Sequence, residues 1–120
     1  MLVEAAGPGQ VAEMRYTALQ ALSRMHDPRA TDAIERATAS VEMRNLRSFA
    51  LQSLAANDSA RATAVALRSL GDYDPLFAVA AVRTAARVGG ADAKAKLAEA
   101  LRTEKRVTVR AAIQRALAAH

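Results

Sequence analysis

The chain has 120 residues, of which 52% are hydrophobic, and 17 Lys and Arg stand against 12 Asp and Glu. This length and composition allow a sizeable buried core, which excludes a disordered tail. The absence of cysteine excludes disulfides and thiolate metal sites, and the sequence lacks both a membrane-spanning apolar run and a signal-peptide pattern. We therefore expect a cytoplasmic protein. Its net charge of +5 does not by itself choose between an acidic peptide and a phosphate backbone as the partner.

Seven helices are predicted in chain order, and no segment shows the two-residue alternation of a strand. Residues 1–10 are interpreted as the remnant of a preceding helix and its turn, which suggests a piece of a longer protein. The helices are expected near residues 11–25, 30–40, 43–56, 60–70, 75–88, 91–102 and 106–119.

Turn-forming residues separate these helices. Asp27-Pro28 and Asp74-Pro75 each place an N-cap carboxylate before a proline at the first helical position. Asn57, Gly71 and Gly89-Gly90 stand where helices should end, and these residue types tolerate the left-handed conformation of a helix C-terminus.

An internal repeat relates the helices to one another. A pattern of apolar or small residues at offsets 0, 4, 5 and 8, broken only by Gln114 in the last copy, begins at Met14, Leu46, Phe77 and Val109, with spacings of 32, 31 and 32 residues. A second set of apolar residues lies between these copies and repeats in phase with them. A period of this length indicates a two-helix unit that stacks on its neighbours, and thus one continuous repeat domain over residues 11–120. The predicted core consists of Leu19, Leu22, Ile34, Leu51, Leu54, Val65, Val82, Leu97, Ile113 and Leu117.

Three copies open with an apolar residue followed by arginine, at Met14-Arg15, Leu46-Arg47 and Val109-Arg110. With the link Asp27-Pro28-Arg29-Ala30, this pattern resembles HEAT repeats, most closely the short bacterial type of phycobilin lyases. The resemblance implies an all-α fold, a right-handed α–α superhelix of about seven helices. It also implies that the repeat arginines bind turn carbonyls or an acidic neighbour, for which Glu42 and Glu104 are available. Phe77-Ala78 departs from the pattern by lacking the arginine.

No catalytic, metal or cofactor site is predicted. His26 and His120 lie in a turn and at the terminus, without the spacing of a zinc motif, and are interpreted as surface residues. The glycine pairs follow helices rather than strands and lack the phosphate-cradling pattern. The sequence therefore predicts a protein that is not an enzyme, although a longer parent could be one.

The second helix of each repeat normally lines the concave face, so its offsets 2, 6 and 10 are candidate partner contacts. Tyr16 is the one aromatic among them, and partial packing is the alternative role for it; Phe49 and Phe77 are expected to fill gaps between helices. A basic cluster in the last turn, Arg102, Lys105, Arg106 and Arg110, could hold an acidic peptide or a phosphate backbone, or could simply be solvated. The candidate partner-binding residues are Tyr16, Gln20, Arg24, Gln52, Arg83, Arg87 and Arg115.

Three functions fit the sequence. The first is a non-catalytic protein-interaction or scaffolding module that binds an acidic segment along Gln20, Gln52, Arg83 and Arg115. The second is an accessory segment of a larger enzyme, because similar arrays occur in bacterial zinc aminopeptidases and in phycobilin lyase subunits. The third is nucleic-acid binding through a basic face. Uncapped terminal helices could also make the chain self-associate.

Overall fold

The computed structural model describes residue 6 and residues 12–25, 27–39 and 44–119, and these contain seven α-helices and no strand. The all-α prediction is confirmed. Each helix begins and ends within three residues of its predicted limits, because the apolar periodicity and the turn residues act together. The helices are α1 Ala12–Leu22, α2 Pro28–Ala37, α3 Arg44–Asn57, α4 Ser59–Arg68, α5 Pro75–Val88, α6 Gly90–Leu101 and α7 Val107–Ala118.

Both predicted Asp-Pro caps are confirmed. An Asp27 carboxylate oxygen accepts a hydrogen bond of 2.8 Å from the backbone N–H of Arg29, and Asp74 accepts one of 3.0 Å from Leu76. Proline occupies the first helical position of α2 and of α5, where its missing N–H costs nothing. The hydrogen bond from Arg29 also lowers the pKa of the Asp27 carboxyl below its usual value.

The prediction of left-handed backbone conformation at the ends of helices is correct at one position only. Among the described residues, Gly90 alone has a positive φ, at 69°. Gly89 is needed for a different reason, because a Cβ there would overlap Ala93 and the carbonyl of Ala85. Asn57 ends α3 without a positive φ and uses its side chain instead. Its side-chain N–H donates a hydrogen bond to the carbonyl of Met25, and its side-chain oxygen accepts one of 2.6 Å from the hydroxyl of Thr31.

The described structure divides into two compact units, Met1–Asp58 and Ser59–His120. In the first unit α1, α2 and α3 pack against one another. On α2 the residues Ala30, Ala33, Ile34 and Ala37 are buried, a spacing that places them on one helix face. Full burial of each large aliphatic side chain contributes about 1.5–3 kcal/mol. The predicted core residues of this unit are all buried: Leu19, Leu22, Ile34, Leu51 and Leu54.

In the second unit α5 packs against α4, α6 and α7. Its predicted core residues Val65, Val82, Leu97 and Ile113 are buried. Phe77 is buried as expected, but the prediction that Leu117 is a core residue is wrong, since its side chain is half-buried. Leu117 lies in the last turn of α7, a helix whose described contacts are with α5 and α6.

Alanine explains how closely the helices of the second unit approach. Its side chain occupies fully buried positions on α4, α5 and α6, where a larger residue would push two helices apart. The close contact at Gly89 extends the same design to the junction of α5 and α6. The alanines with no exposed surface here are Ala62, Ala66, Ala78, Ala81, Ala85 and Ala93.

Candidate functional site

The repeat arginines belong to the framework rather than to a binding surface. Arg15 donates from Nε to the carbonyl of Ala6 at 3.1 Å, and Arg47 donates from Nε to Thr38 at 2.7 Å. Both side chains are buried. Each acceptor lies nine residues before its arginine. The predicted carbonyl contact is therefore confirmed for these two residues.

Arg110 makes the same contact in the second unit. Its Nη1 donates to the carbonyl of Leu101, nine residues earlier, at 2.8 Å, and to the carbonyl of Glu104 at 2.8 Å. Leu101 ends α6, so the cation lies beside carbonyls that have no partner within their own helix. The acidic alternative fails for Glu104, whose carboxylate binds Arg106 instead. Glu42 lies outside the described residues.

The repeat that lacks its arginine receives one from further along the chain. Where Arg15, Arg47 and Arg110 stand in their own repeats, this repeat has Ala78. Arg106 reaches the corresponding turn between α4 and α5, where Nη2 donates to the carbonyl of Leu70 at 2.9 Å and Nη1 donates to that of Asp72.

Glu104 holds Arg106 in this position. Its two carboxylate oxygens accept from Nε and Nη2 at 2.9 Å each, and the backbone N–H of Arg106 donates to it as well. These hydrogen bonds from Arg106 lower the pKa of Glu104 to about 2. The sequence predicts only that Arg106 belongs to a basic cluster and does not reveal this role, because the acceptors lie 34 and 36 residues away. The absent arginine at Ala78 was the available signal.

The predicted basic cluster is therefore only half available to a ligand. The guanidinium groups of Arg106 and Arg110 hold backbone carbonyls in the turns, and both side chains are partly buried. Arg102 and Lys105 are exposed. Two separate exposed cations on a turn are the ordinary pattern of a solvated surface.

Three of the predicted partner contacts lie together around one groove in the second unit. Arg83 and Arg87 are one turn apart on α5, and Arg115 is on α7. Alanine methyl groups supply the rest of the lining, so the arginines have room for a docked group. The groove has a volume of about 330 Å³ and is lined by Arg83, Ala86, Arg87, Ala112, Arg115, Ala116 and Ala119.

The charge in this groove is not neutralised. No acidic side chain lines it, and within the described residues the guanidinium groups of Arg83, Arg87 and Arg115 form no hydrogen bond or ion pair. All three side chains are exposed. Like charges four residues apart on a helix repel each other by about 0.2–0.5 kcal/mol, and Arg83 and Arg87 are such a pair on α5.

The wider charge distribution has the same sign. Residues 59–120 contain eleven Lys and Arg and five Asp and Glu, a net charge of +6. Residues 1–58 contain six Lys and Arg and seven Asp and Glu, a net charge of −1. The whole excess of positive charge thus belongs to the unit that holds the groove. An anionic group approaching this unit is attracted before contact.

The other four candidate contacts lie in the first unit. Gln20, Arg24 and Gln52 have exposed side chains. Tyr16 stacks on Phe49 with ring centroids 4.2 Å apart and an interplanar angle of 18°, and it stays 45% exposed. The expectation that Phe49 fills a gap between helices is only partly right, because its ring is half-buried and packs against the surface tyrosine.

The described ranges contain neither a cluster of metal ligands nor a helix that could span a membrane. No group of three or more His, Cys, Asp or Glu side chains there is placed to hold a metal ion. None of the seven helices combines the length and apolar character needed to cross a bilayer. His26 and His120 lie outside the described residues. Residues 1–10 apart from Ala6 lie outside them as well.

Comparison with known families agrees with the repeat geometry. The family model for HEAT repeats matches residues 41–118, which include three of the four repeat signatures and the whole groove except Ala119. The chain belongs to the HEAT repeat family. HEAT repeats are commonly protein-interaction or scaffold modules and are typically non-catalytic. No curated protein matches the chain, and neither does any solved structure.

Proposed function

We propose that this HEAT repeat protein is a non-catalytic interaction module that binds an acidic segment of a partner protein in the groove between α5 and α7. The observation that carries the proposal is the set of three exposed guanidinium groups, Arg83, Arg87 and Arg115, around an alanine-lined groove with no acid. Framework arginines elsewhere in the chain are bound to carbonyls, whereas these three are available.

The chemistry of the groove favours an anion over an apolar ligand. Its apolar surface consists of alanine methyl groups, which offer too little area to anchor a large side chain. A guanidinium group presents a planar fork of donors that matches a carboxylate with two parallel hydrogen bonds. Three such forks suit a segment with more than one acidic group.

The exposure of the arginines sets the expected strength of binding. Exposed ion pairs contribute about 0.2–1 kcal/mol each, so three of them alone give weak binding. Their larger effect is on the rate of association and on the choice of partner, because the unit carries a net charge of +6. Binding should therefore weaken as the salt concentration rises.

A charge-reversal experiment tests the proposal. The probe is a twelve-residue peptide of alternating aspartate and serine with a fluorescent label, and its dissociation constant is measured by anisotropy at low salt. Replacing Arg83 and Arg115 together by glutamate should weaken binding at least tenfold. The matched control replaces Arg36 on α2 and Arg68 on α4, both exposed, by glutamate, and changes the net charge by the same amount. This control should stay within about twofold of the wild type.

The two variants separate a site from a general charge effect. Equal losses in both would show that the peptide responds to net charge and would remove the groove from the proposal. A loss only in the Arg36 and Arg68 variant would place the partner on the first helices of the repeats.

Nucleic acid is the competing partner, because the second unit has a net positive charge. The groove favours a protein partner, since its lining consists of arginine and alanine and has no aromatic side chain on which a base could stack. A twelve-nucleotide single-stranded DNA serves as the test. Affinity above that of the acidic peptide, with a steep loss on raising salt, would favour nucleic acid.

A further inference from the structure

The groove between α5 and α7 supports a more specific inference, which rests on the function proposed above. We infer that the group bound there is a phosphoryl group, carried by a phosphorylated serine or threonine of the partner protein. The arrangement that points to it is three arginine side chains, from two helices, around one small lining of methyl groups.

The charge of the groove matches that of a phosphoryl group. Arg83, Arg87 and Arg115 contribute three positive charges, and no lining residue is acidic. Arg87 and Arg115 lie in the last turns of their helices, where each helix end carries about −0.5 of an elementary charge. The local sum is then about +2. A phosphoserine carries about −1.5 to −2 at neutral pH, whereas a single carboxylate would leave much of the positive charge unmatched.

The number and direction of the donors in the groove also match a phosphoryl group. A phosphoryl group offers three strong acceptor oxygens on one centre, and each oxygen can accept from a different guanidinium group. Arg83 and Arg87 approach from α5 and Arg115 from α7, so the donors come from two sides of the groove. A carboxylate has two oxygens, which one or two guanidinium groups already satisfy.

The groove is small for a ligand site. The volume of about 330 Å³ is at the lower end for ligand pockets, which span about 300–1,000 Å³. A groove of this volume has room for a phosphorylated side chain. The alanine methyl groups of the lining can pack against the Cβ of a phosphoserine or the methyl group of a phosphothreonine.

Binding of a dianion should also relieve the repulsion within α5. Arg83 and Arg87 are like charges one turn apart, an arrangement that destabilises a helix. A phosphoryl group between them removes this repulsion and should raise the melting temperature of the protein. Inorganic phosphate at pH 7.5 is the simplest probe, with sodium chloride of equal ionic strength as the reference. We expect a higher melting temperature in phosphate, and a smaller rise when Arg83 and Arg115 are both replaced by glutamine.

Peptides of matched charge give the decisive test on the full chain. Three twelve-residue alanine–serine peptides differ only at the two central positions, which hold phosphoserine–alanine, aspartate–aspartate or serine–alanine. We expect the phosphoserine peptide to bind at least fivefold more tightly than the diaspartate peptide, although both carry about two negative charges. The unmodified peptide should not bind measurably.

A conservative substitution tests recognition by the guanidinium fork. Arg115→Lys keeps the charge but removes the planar fork, so it should reduce the preference for phosphoserine over diaspartate. The matched control is Arg102→Lys on the exposed turn after α6, which should leave the preference unchanged. An unchanged preference in Arg115→Lys would overturn the inference.

The outcomes distinguish this inference from the proposed function. If the diaspartate peptide binds as tightly as the phosphoserine peptide, the phosphoryl inference is wrong and the acidic-segment function stands. If neither peptide binds but the alternating aspartate–serine peptide does, the phosphoryl inference is wrong and the proposed function stands. If none of the three binds, both are wrong. If the single-stranded DNA displaces a bound phosphoserine peptide and binds more tightly than it does, the groove is a phosphate-backbone site and the inference is overturned.

Discussion

Arg106 provides the sharpest test of how the repeat without its own arginine is held together. Replacing it by alanine removes the donor to two turn carbonyls, those of Leu70 and Asp72, and the partner of the Glu104 carboxylate. Hydrogen bonds that involve a charged group contribute about 1.5–3 kcal/mol each. The Arg106 side chain is 30% exposed, so water replaces part of what is lost.

We therefore expect Arg106→Ala to lower the free energy of unfolding by about 3 kcal/mol. With a urea dependence of about 2 kcal/mol per molar, the unfolding midpoint should fall by about 1.5 M. Circular dichroism at 222 nm during urea titration measures it. Arg106→Lys keeps the charge but loses the fork, so its midpoint should lie between those of Arg106→Ala and the wild type.

The control is Arg102→Ala, four residues earlier. That side chain is exposed and forms no hydrogen bond or ion pair within the described residues. It should change the free energy of unfolding by less than about 0.5 kcal/mol. If the two alanine variants unfold at the same urea concentration, Arg106 does not replace the missing repeat arginine.

Three further predictions concern stability. Leu51→Ala should cost about 2–5 kcal/mol in urea unfolding, because its fully buried side chain leaves a cavity among packed helices. Gly89→Ala should cost about 1–3 kcal/mol and lower the melting temperature, because the added Cβ would overlap Ala93. Glu104 has its pKa lowered from 4.5 to about 2 by Arg106, so its contribution is complete above pH 4.5 and is lost as the pH falls toward 2. The stability difference between wild type and Glu104→Gln should shrink over that range in urea titrations.

Each of these predictions has its own contradicting result. A cost below about 1 kcal/mol for Leu51→Ala would mean that the repeat register is wrong. Gly71→Ala is the control for Gly89→Ala, since a Cβ at Gly71 meets nothing within 4 Å; equal costs would refute the argument from close approach. A stability difference at Glu104 that stays constant from pH 5 to pH 2 would show that its carboxylate is not held by Arg106.

Much of the helical framework could be predicted because it depends on local periodicity. The 31-residue and 32-residue spacings placed Leu19, Ile34 and Leu97 in the core before any contact was known, and all three are buried. The Asp-Pro caps need only neighbouring residues, so they too could be predicted. The prediction that Leu117 is buried was wrong because burial at the end of a repeat depends on what packs beyond it, and periodicity carries no such information.

Contacts over long sequence separations could not be predicted. Asparagine is a common residue at helix C-termini, but nothing in the neighbouring sequence shows that the side chain of Asn57 reaches Met25 and Thr31. Arg106 has the same difficulty, because its acceptors lie more than one repeat away. For the groove, the repeat offset identified Arg83, Arg87 and Arg115 individually. That they surround a single alanine-lined groove required the packing of α5 against α7.

The most direct test of the central claim is a titration of the full chain, labelled with ¹⁵N, with the alternating aspartate–serine peptide, followed by amide chemical shifts. We expect the largest shifts to cluster at residues 83–87 and 112–119, the segments that line the groove. Shifts centred instead on residues 94–105, where Lys94, Lys96, Arg102 and Lys105 lie, would contradict the claim. If the peptide shifts no amide signal at all, the claim is contradicted as well.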